Sequence, residues 1–235
     1  MSTPLFRALE IDDCPDLLMA SYRLRYQVYC HERHFLPADD YPAGIETDIF
    51  DRHAVHLGVL NDENHLVATA RLVRRSEDGL PMFGHCQVWG RTVLADANVP
   101  LVEVSRLSVS RRYNRRQGDA HYALEGGGTT STGERRREGG EIVMTLYRAL
   151  YQSSKRHGFT HWLAATERSL QRLVMRYRFP FVQIGPETDY FGMVAPYVMD
   201  LAHFDAEILS GQVPALRDFL VGLEPRFQPA MRHAS

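Results

Sequence analysis

The sequence has few cysteines and no long apolar run. Its three cysteines, Cys14, Cys30 and Cys86, have no metal-binding spacing and do not make the even set that a disulfide framework needs. We therefore expect reduced thiols, as in cytoplasmic proteins. No apolar stretch approaches the roughly 18 residues that span a bilayer, and residues 1–7 lack the basic and apolar regions of a signal peptide. The sequence predicts a cytoplasmic protein that is not integral to a membrane and has no metal site.

The sequence also lacks an excess of charge of one sign. Its 27 basic and 29 acidic residues give a net charge of −2, which argues against nucleic acid as a partner. Lysine is nearly absent, because Lys155 is the only one and arginine supplies the remaining positive charge. The 44% hydrophobic and 24% charged composition is that of a globular protein. A chain of 235 residues is long enough for one well-buried core.

The periodicity of apolar residues predicts an α/β protein. Helical spacing predicts a first helix from about Asp12 to Cys30, and two strand-like runs predict a hairpin at 54–60 and 66–73. The later predicted elements are a strand at 101–109, a helix at 142–157, a strand at 160–166, a helix at 169–177, strands at 181–184 and 191–201, and a helix at 205–223 that breaks near Gly211 and Pro214. Residues 125–140 have almost no apolar content, which predicts a flexible insertion. We expect a mixed central sheet flanked by helices.

Charged residues stand at three separated places beside or within predicted strands. They are Glu46, Asp48 and Asp51 at the entry to the hairpin, Arg71 in its second strand, and Glu103 and Arg106 in the strand at 101–109. An unpaired charge in a half-buried strand costs several kcal/mol. We therefore expect these acids and arginines to meet, either as a site for a polar substrate or as a structural ion-pair cluster.

Five sequence elements, in order, resemble one enzyme family. They are Arg25-Tyr-Gln-Val-Tyr29, Phe35, Glu46-x-Asp48-x-x-Asp51, Arg71-Leu72 and Glu103-x-Ser-Arg106. This pattern resembles that of the acyl-homoserine-lactone synthases and the long-chain N-acyl amino acid synthases, which have a GNAT-like acyltransferase fold. The match spans about residues 20–110, or two-fifths of the chain. The segment at 30–35 and the long C-terminal region are most similar to the PEP-CTERM/exosortase-associated acyltransferase branch.

The resemblance implies a single GNAT-like domain over residues 1–235, with a C-terminal helical extension at 205–223. It implies transfer of a long-chain fatty acyl group from acyl carrier protein to the amine of a small amino-acid-like acceptor. The implied catalytic residues are Glu103, Asp48 and Asp51, with Glu103 as the favoured base. The implied substrate-binding residues are Arg25, Phe35, Arg71, Ser105 and Arg106. The lactone synthases usually have a tryptophan where this chain has Phe35, so the pocket shape is expected to differ.

A basic stretch after the strand at 101–109 is the predicted donor-binding segment. Its residues are Arg111, Arg112, Arg115, Arg116 and Gly118, and a turn of this kind at a helix start binds phosphate through backbone N–H groups. It is equally suited to the phosphopantetheine arm and acidic surface of an acyl carrier protein, or it is a solvated basic loop. No bound cofactor is expected, since the phosphopantetheine thioester or an acyl-CoA acts as co-substrate.

Two other functions fit the same residues. One is an acetyl-CoA-dependent N-acetyltransferase of a small amine, and the other is a non-catalytic acyl-binding module. Retained acids in the motif favour an enzyme over the binding module.

Overall fold

Eight strands form a mixed sheet in the computed structural model, which describes residues 5–89, 98–111 and 132–230, with side chains from 139 onward in the last range. The strands are β1 (Phe6–Glu10), β2 (Ala54–Asn61), β3 (Leu66–Arg74), β4 (Leu101–Val109), β5 (His161–Thr166), β6 (Val182–Gln183), β7 (Thr188–Asp189) and β8 (Met193–Asp200). Their order is β1-β2-β3-β4-β5-β8-β6, and β7 pairs with β8. β4 and β5 are parallel, whereas β1 with β2 and β5 with β8 are antiparallel. The predicted mixed sheet is confirmed.

Helices precede and follow the sheet strands along the chain. They are α1 (Pro15–Tyr26), α2 (Thr132–Arg156), α3 (Arg168–Arg176), α4 (Leu201–Ser210) and α5 (Pro214–Arg217). A π-helix, Gln27–Glu32, continues α1, and short 3₁₀ turns include Asp51–His53 and Pro81–Gly84. Within the described ranges, no helix combines the length and the apolar character that a membrane crossing requires.

The structure differs from the predicted elements in three places. The helix expected at 142–157 begins at Thr132, so residues 132–140 are helical rather than irregular. Their run of glutamate and arginine has high intrinsic helix propensity even without apolar residues. Residues 125–131 lie outside the described part. β1 was not predicted. The last expected helix begins at Leu201 rather than Asp205, and its predicted break is confirmed, because the first helix ends at Gly211, whose φ is +65°, and the next begins at Pro214.

The internal contacts divide the chain into two compact units. The first comprises Met1–Thr47, His56–Ala70 and Arg106–Tyr147, and the second comprises Asp48–Val55, Arg71–Ser105 and Arg148–Ser235. The single domain expected over 1–235 stays a prediction.

The first unit has an apolar core on β1, β2 and the adjoining loop. Ile11, Leu57 and Val59 are almost completely buried. At its edge Asp12 accepts hydrogen bonds from His56, at 2.9 Å from the backbone N–H and 2.7 Å from Nδ1. Burial acts to raise the pKa of Asp12, but the bonds from His56 outweigh it and leave that pKa below its usual value. This contact fixes the loop before α1 to β2.

The second unit contains two buried clusters. One is apolar and comprises Val73, Leu80, Met82, Cys86, Leu101, Leu163 and Val194. The other is aromatic, with ring centroids of Phe179 and Phe204 4.3 Å apart and Tyr151 5.6 Å from Phe204. A close backbone approach joins the segment before residue 90 to β6, because a Cβ on Gly185 would lie 2.0 Å from the oxygen of Gln87. Only glycine fits there without displacement.

Candidate functional site

The turn before β2 fixes two carboxylates through its own backbone. The N–H of Asp48 donates to Oδ2 of Asp51 at 2.8 Å, and the N–H of Phe50 donates to Oδ1 of Asp48 at 2.9 Å. Short aspartate side chains commonly bond to nearby backbone groups and stabilise turns in this way. The two acids therefore have set positions.

Arg71 on β3 binds both carboxylates with its planar fork. Nη1 donates to Oδ1 of Asp48 and to Oδ1 of Asp51, each at 2.6 Å, and Nη2 donates to Oδ2 of Asp48 at 2.7 Å. Nε donates to Oγ of Ser105 on β4 at 3.1 Å. Charge-assisted bidentate bonds of this kind are strong and directional. We call Asp48, Asp51, Arg71 and Ser105 the Arg71 cluster.

In the Arg71 cluster, two carboxylates share one guanidinium. The Arg71 side chain is 1% exposed and Asp51 is 8% exposed, whereas Asp48 is 23% exposed. Asp48 is thus the member that an incoming cation can reach. Of the charged residues expected to meet, the structure brings Asp48, Asp51 and Arg71 together here, and the fork of Arg71 is occupied by Asp48 rather than open to a substrate carboxylate.

Glu103, also in the second unit, is held by a backbone group. It lies on β4 at 2% exposure, and its Oε2 accepts the N–H of Met82 at 2.9 Å. Burial, and then the negative charge of Glu103, raise the pKa of Cys86 to about 11. Cys86 is therefore a neutral thiol at pH 7 and is poorly suited to act as a nucleophile. The bond from Met82 had no signal in the sequence.

In the first unit, Glu46 joins two arginines. Nε of Arg25 donates to Oε2 at 2.5 Å, and Nε of Arg106 donates to Oε1 at 3.1 Å. Glu46 is 0% exposed, and its own N–H donates to the oxygen of Tyr22 on α1 at 3.1 Å. We call Arg25, Glu46 and Arg106 the Glu46 cluster. Sequence reasoning placed Glu46 in the motif but gave it no role.

Arg106 has an unusual backbone conformation in the middle of a strand. Its φ is +52°, a region that residues other than glycine adopt only at a cost in free energy. Its guanidinium carbon lies 5.3 Å from the ring centroid of Tyr29, a cation–π contact. The hydroxyl of Tyr29 donates to the oxygen of Leu107 at 3.4 Å. These contacts and Glu46 fix the left-handed residue.

Aromatic residues from the π-helix and the following loop lie beside the Glu46 cluster. The rings of Tyr29 and Phe35 are 6.1 Å apart, and the guanidinium carbon of Arg33 is 5.8 Å from Phe35. Loss of solvent around its hydroxyl raises the pKa of Tyr29, against the lowering effect of Arg106. π-Helical turns occur frequently at functional sites. Phe35 therefore lies among aromatic and cationic side chains, and its binding role stays a prediction.

The predicted donor-binding residues are mostly outside the described ranges. Arg112, Arg115, Arg116 and Gly118 fall there, while Arg111 is described and exposed. Their role stays a prediction.

Comparison with known proteins agrees with the fold. Residues 24–124 match the family model described as an acetyltransferase (GNAT) domain. No curated protein matches the sequence significantly.

Several solved structures of acyl-transferring enzymes are similar over most of the chain. BjaI, described as a CoA-dependent acyl-homoserine lactone synthase with SAM and isopentyl-CoA, has a TM-score of 0.62 and 18% identity over 96% of this chain and 90% of that one. FeeM, an N-acyl amino acid synthase from uncultured soil microbes, has a TM-score of 0.58 and 14% identity over 87% of this chain and 95% of that one. The AHL synthase LasI has a TM-score of 0.56 and 14% identity over 86% and 91%. The chain thus has a GNAT-like fold.

Proposed function

We propose that this protein is an N-acyltransferase that moves a long-chain fatty acyl group from acyl carrier protein to the amine of an amino acid or a derivative. The observation that carries the proposal is the Arg71 cluster, in which one guanidinium faces two carboxylates. A carboxylate of this cluster can hold the ammonium of an amino-acid-like acceptor before the ammonium loses its proton. Asp48 receives the amine, since its side chain is the most exposed of the three charged members.

Acyl transfer to nitrogen requires a neutral amine and an acceptor for its proton. We assign proton removal to Glu103, directly or through one water. The nitrogen then attacks the thioester carbonyl carbon, and backbone or side-chain donors stabilise the tetrahedral oxyanion. The C–S bond breaks and gives an amide and a thiol. Of the two protons that the ammonium loses, one protonates the leaving thiolate and the other passes to solvent.

The surroundings of Glu103 support this assignment. The N–H of Met82 orients its carboxylate, and the neighbouring residues Leu101, Leu163 and Cys86 form an apolar cluster. Low polarity disfavours a charged amine and suits a fatty acyl chain. A carboxylate that is oriented and nearly water-free is well placed to accept a proton.

We further propose that four arginines bind the acidic surface of acyl carrier protein: Arg111, Arg112, Arg115 and Arg116. Such charge complementarity speeds association. The alternative donor is an acyl-CoA, as in the CoA-dependent neighbour BjaI. We also propose that the protein belongs to the PEP-CTERM/exosortase-associated branch, on the sequence of residues 30–35. A cytoplasmic location is supported by three free cysteines, Cys14, Cys30 and Cys86.

A second candidate function is acetyl-CoA-dependent N-acetylation of a small amine. The match of residues 24–124 to the GNAT acetyltransferase domain favours it. Thermal-shift measurements separate the two functions. Long-chain acyl carrier protein should stabilise the protein more than acetyl-CoA does, and the reverse order would favour the second function.

The direct test is product formation from purified protein. The protein is incubated with long-chain acyl carrier protein or long-chain acyl-CoA and mixed amino acids, and N-acyl products are identified by mass spectrometry. Glu103→Gln keeps an oxygen that can accept the N–H of Met82, so it removes the base while preserving this contact. We expect a loss of about 10²- to 10⁴-fold in turnover.

The matched control is Glu63→Gln, because Glu63 is an exposed glutamate in the hairpin turn. It should leave turnover unchanged. If no donor yields an N-acyl product, the proposed function is wrong. If products form and Glu103→Gln retains full turnover, the function stands but Glu103 is not the base.

A further inference from the structure

A histidine and two carboxylates converge at one place outside the residues assigned above. His53 ends the 3₁₀ turn Asp51–His53, and Glu77 and Asp78 lie in the turn that follows β3. Nε2 of His53 is 3.0 Å from Oδ2 of Asp78 and 3.8 Å from Oε1 of Glu77. All three ligand atoms lie within 4.8 Å of one another.

These separations fit a small divalent ion. Zinc bound at about 2.0–2.2 Å in a tetrahedron separates its ligand atoms by about 3.4 Å. The separations of His53 from the two acids, 3.0 and 3.8 Å, lie on either side of that value. One imidazole and two carboxylates can fill three corners, and water can take the fourth. An imidazole ligand favours zinc over magnesium or calcium, which prefer oxygen ligands throughout.

Arg52 shows that this place already holds a cationic group. Its Nε donates to Nε2 of His53 at 2.9 Å, and its Nη2 donates to Oδ2 of Asp78 at 2.5 Å. Nε2 of His53 and Oδ2 of Asp78 therefore lie beside the same guanidinium.

Two of the three ligands are less exposed than the arginine, whereas the Glu77 side chain is 77% exposed. The His53 and Asp78 side chains are 23% and 19% exposed, whereas that of Arg52 is 60% exposed. Arg52 can swing into solvent at little cost, since exposed ion pairs contribute little stability. The two ligands remain where the fold places them.

Backbone bonds hold both ligand-bearing turns. The N–H of His53 donates to the oxygen of Phe50 at 3.0 Å. In the other turn the N–H of Gly79 donates to the oxygen of Ser76 at 3.0 Å, and the N–H of Asp78 donates to Oγ of Ser76 at 3.3 Å. Ligands that are already in place lose less conformational entropy when they bind an ion.

We propose that His53, Glu77 and Asp78 form a zinc site for which Arg52 is a built-in competitor. A bound ion ties the turn at Asp51–His53 to the turn after β3, and it thereby restrains Asp51, a member of the Arg71 cluster. This zinc site does not depend on the proposed acyltransferase function. Sequence spacing gave no sign of it, because His53 is 24 residues from the nearer acid.

Zinc affinity of the full chain, measured by competition with a chromophoric chelator, tests the site. His53→Gln and Asp78→Asn should each weaken zinc binding by at least about tenfold. The matched control is His65→Gln, because His65 also lies near a carboxylate, with Nδ1 3.2 Å from Oε2 of Glu63, but in an exposed hairpin turn. It should leave the affinity unchanged.

Arg52→Gln distinguishes this site from any surface histidine. Removing the competing guanidinium should tighten zinc binding roughly two- to fivefold. Far-ultraviolet circular dichroism checks that the variant is folded, as expected for a side chain that is 60% exposed. Equal zinc affinity in wild type and His53→Gln would overturn the proposal. Weaker or unchanged binding by Arg52→Gln would also overturn it.

Discussion

Replacing Glu46 with glutamine removes the carboxylate shared by the buried Arg25 and the half-buried Arg106. Nε of Arg25 is 2.5 Å from one oxygen and Nε of Arg106 is 3.1 Å from the other, and the Glu46 side chain is 0% exposed. The variant places two positive charges around a neutral amide in a poorly solvated region. Breaking a buried ion pair from one side costs about 3–5 kcal/mol. We expect a loss of that size in the free energy of unfolding, a large share of the typical 5–15 kcal/mol.

Urea denaturation followed by tryptophan fluorescence measures the loss. The control is Glu187→Gln, which removes the partner of Arg168, a side chain that is 75% exposed; its midpoint should hardly move. Arg25→Met in the Glu46→Gln background removes one of the two charges and should recover part of the stability. If Glu46→Gln costs no more than Glu187→Gln, the shared carboxylate does not hold the arginines and the reasoning fails.

Three further predictions follow from contacts in the two units. The pKa of Asp12 is lower in the folded than in the unfolded state. Its contribution to the free energy of unfolding is therefore present above the unfolded-state pKa and is lost as the pH falls through the folded-state pKa. Between pH 6 and pH 3, Asp12→Asn should lose less stability to urea than wild type does. Cys86 is buried and its pKa is raised to about 11. It should therefore react with iodoacetamide at pH 7.5 more slowly than the more exposed Cys14, and peptide mass spectrometry measures both rates. Equal rates would contradict the burial of Cys86. Gly185→Ala should cost about 1–3 kcal/mol in urea denaturation because its Cβ would lie 2.0 Å from a backbone oxygen, whereas Gly84→Ala, with nothing within 4 Å, should not show this steric cost.

The order of the main helices and strands was predictable because periods of 2 and 3.6 residues are local properties of the sequence. β1 was missed, since it is a short edge strand of five residues with mixed exposure. The start of α2 at Thr132 was missed because apolar periodicity, rather than helix propensity, guided the boundary.

The meeting of Asp48, Asp51 and Arg71 was predictable because isolated charges in apolar strands require partners. Which carboxylate each arginine binds was not predictable, since that depends on the turn geometry. Glu46 accepts hydrogen bonds from Arg25 and Arg106, whereas Asp48, two residues later in the motif, accepts them from Arg71. The contact between Glu103 and the backbone N–H of Met82 was not predictable either, because every residue except proline carries such a donor and the residue type gives no signal.

The turn that carries Asp48 provides its own spectroscopic probe. The amide proton of Phe50 bonds to Oδ1 of Asp48, and the amide proton of Asp48 bonds to Oδ2 of Asp51. Amide protons that donate to carboxylates resonate downfield. An amine that docks on Asp48 draws electron density from Oδ1, weakens the bond from Phe50 and moves that resonance upfield. Nuclear magnetic resonance titration can therefore rank acceptors by affinity without an acyl donor and without turnover.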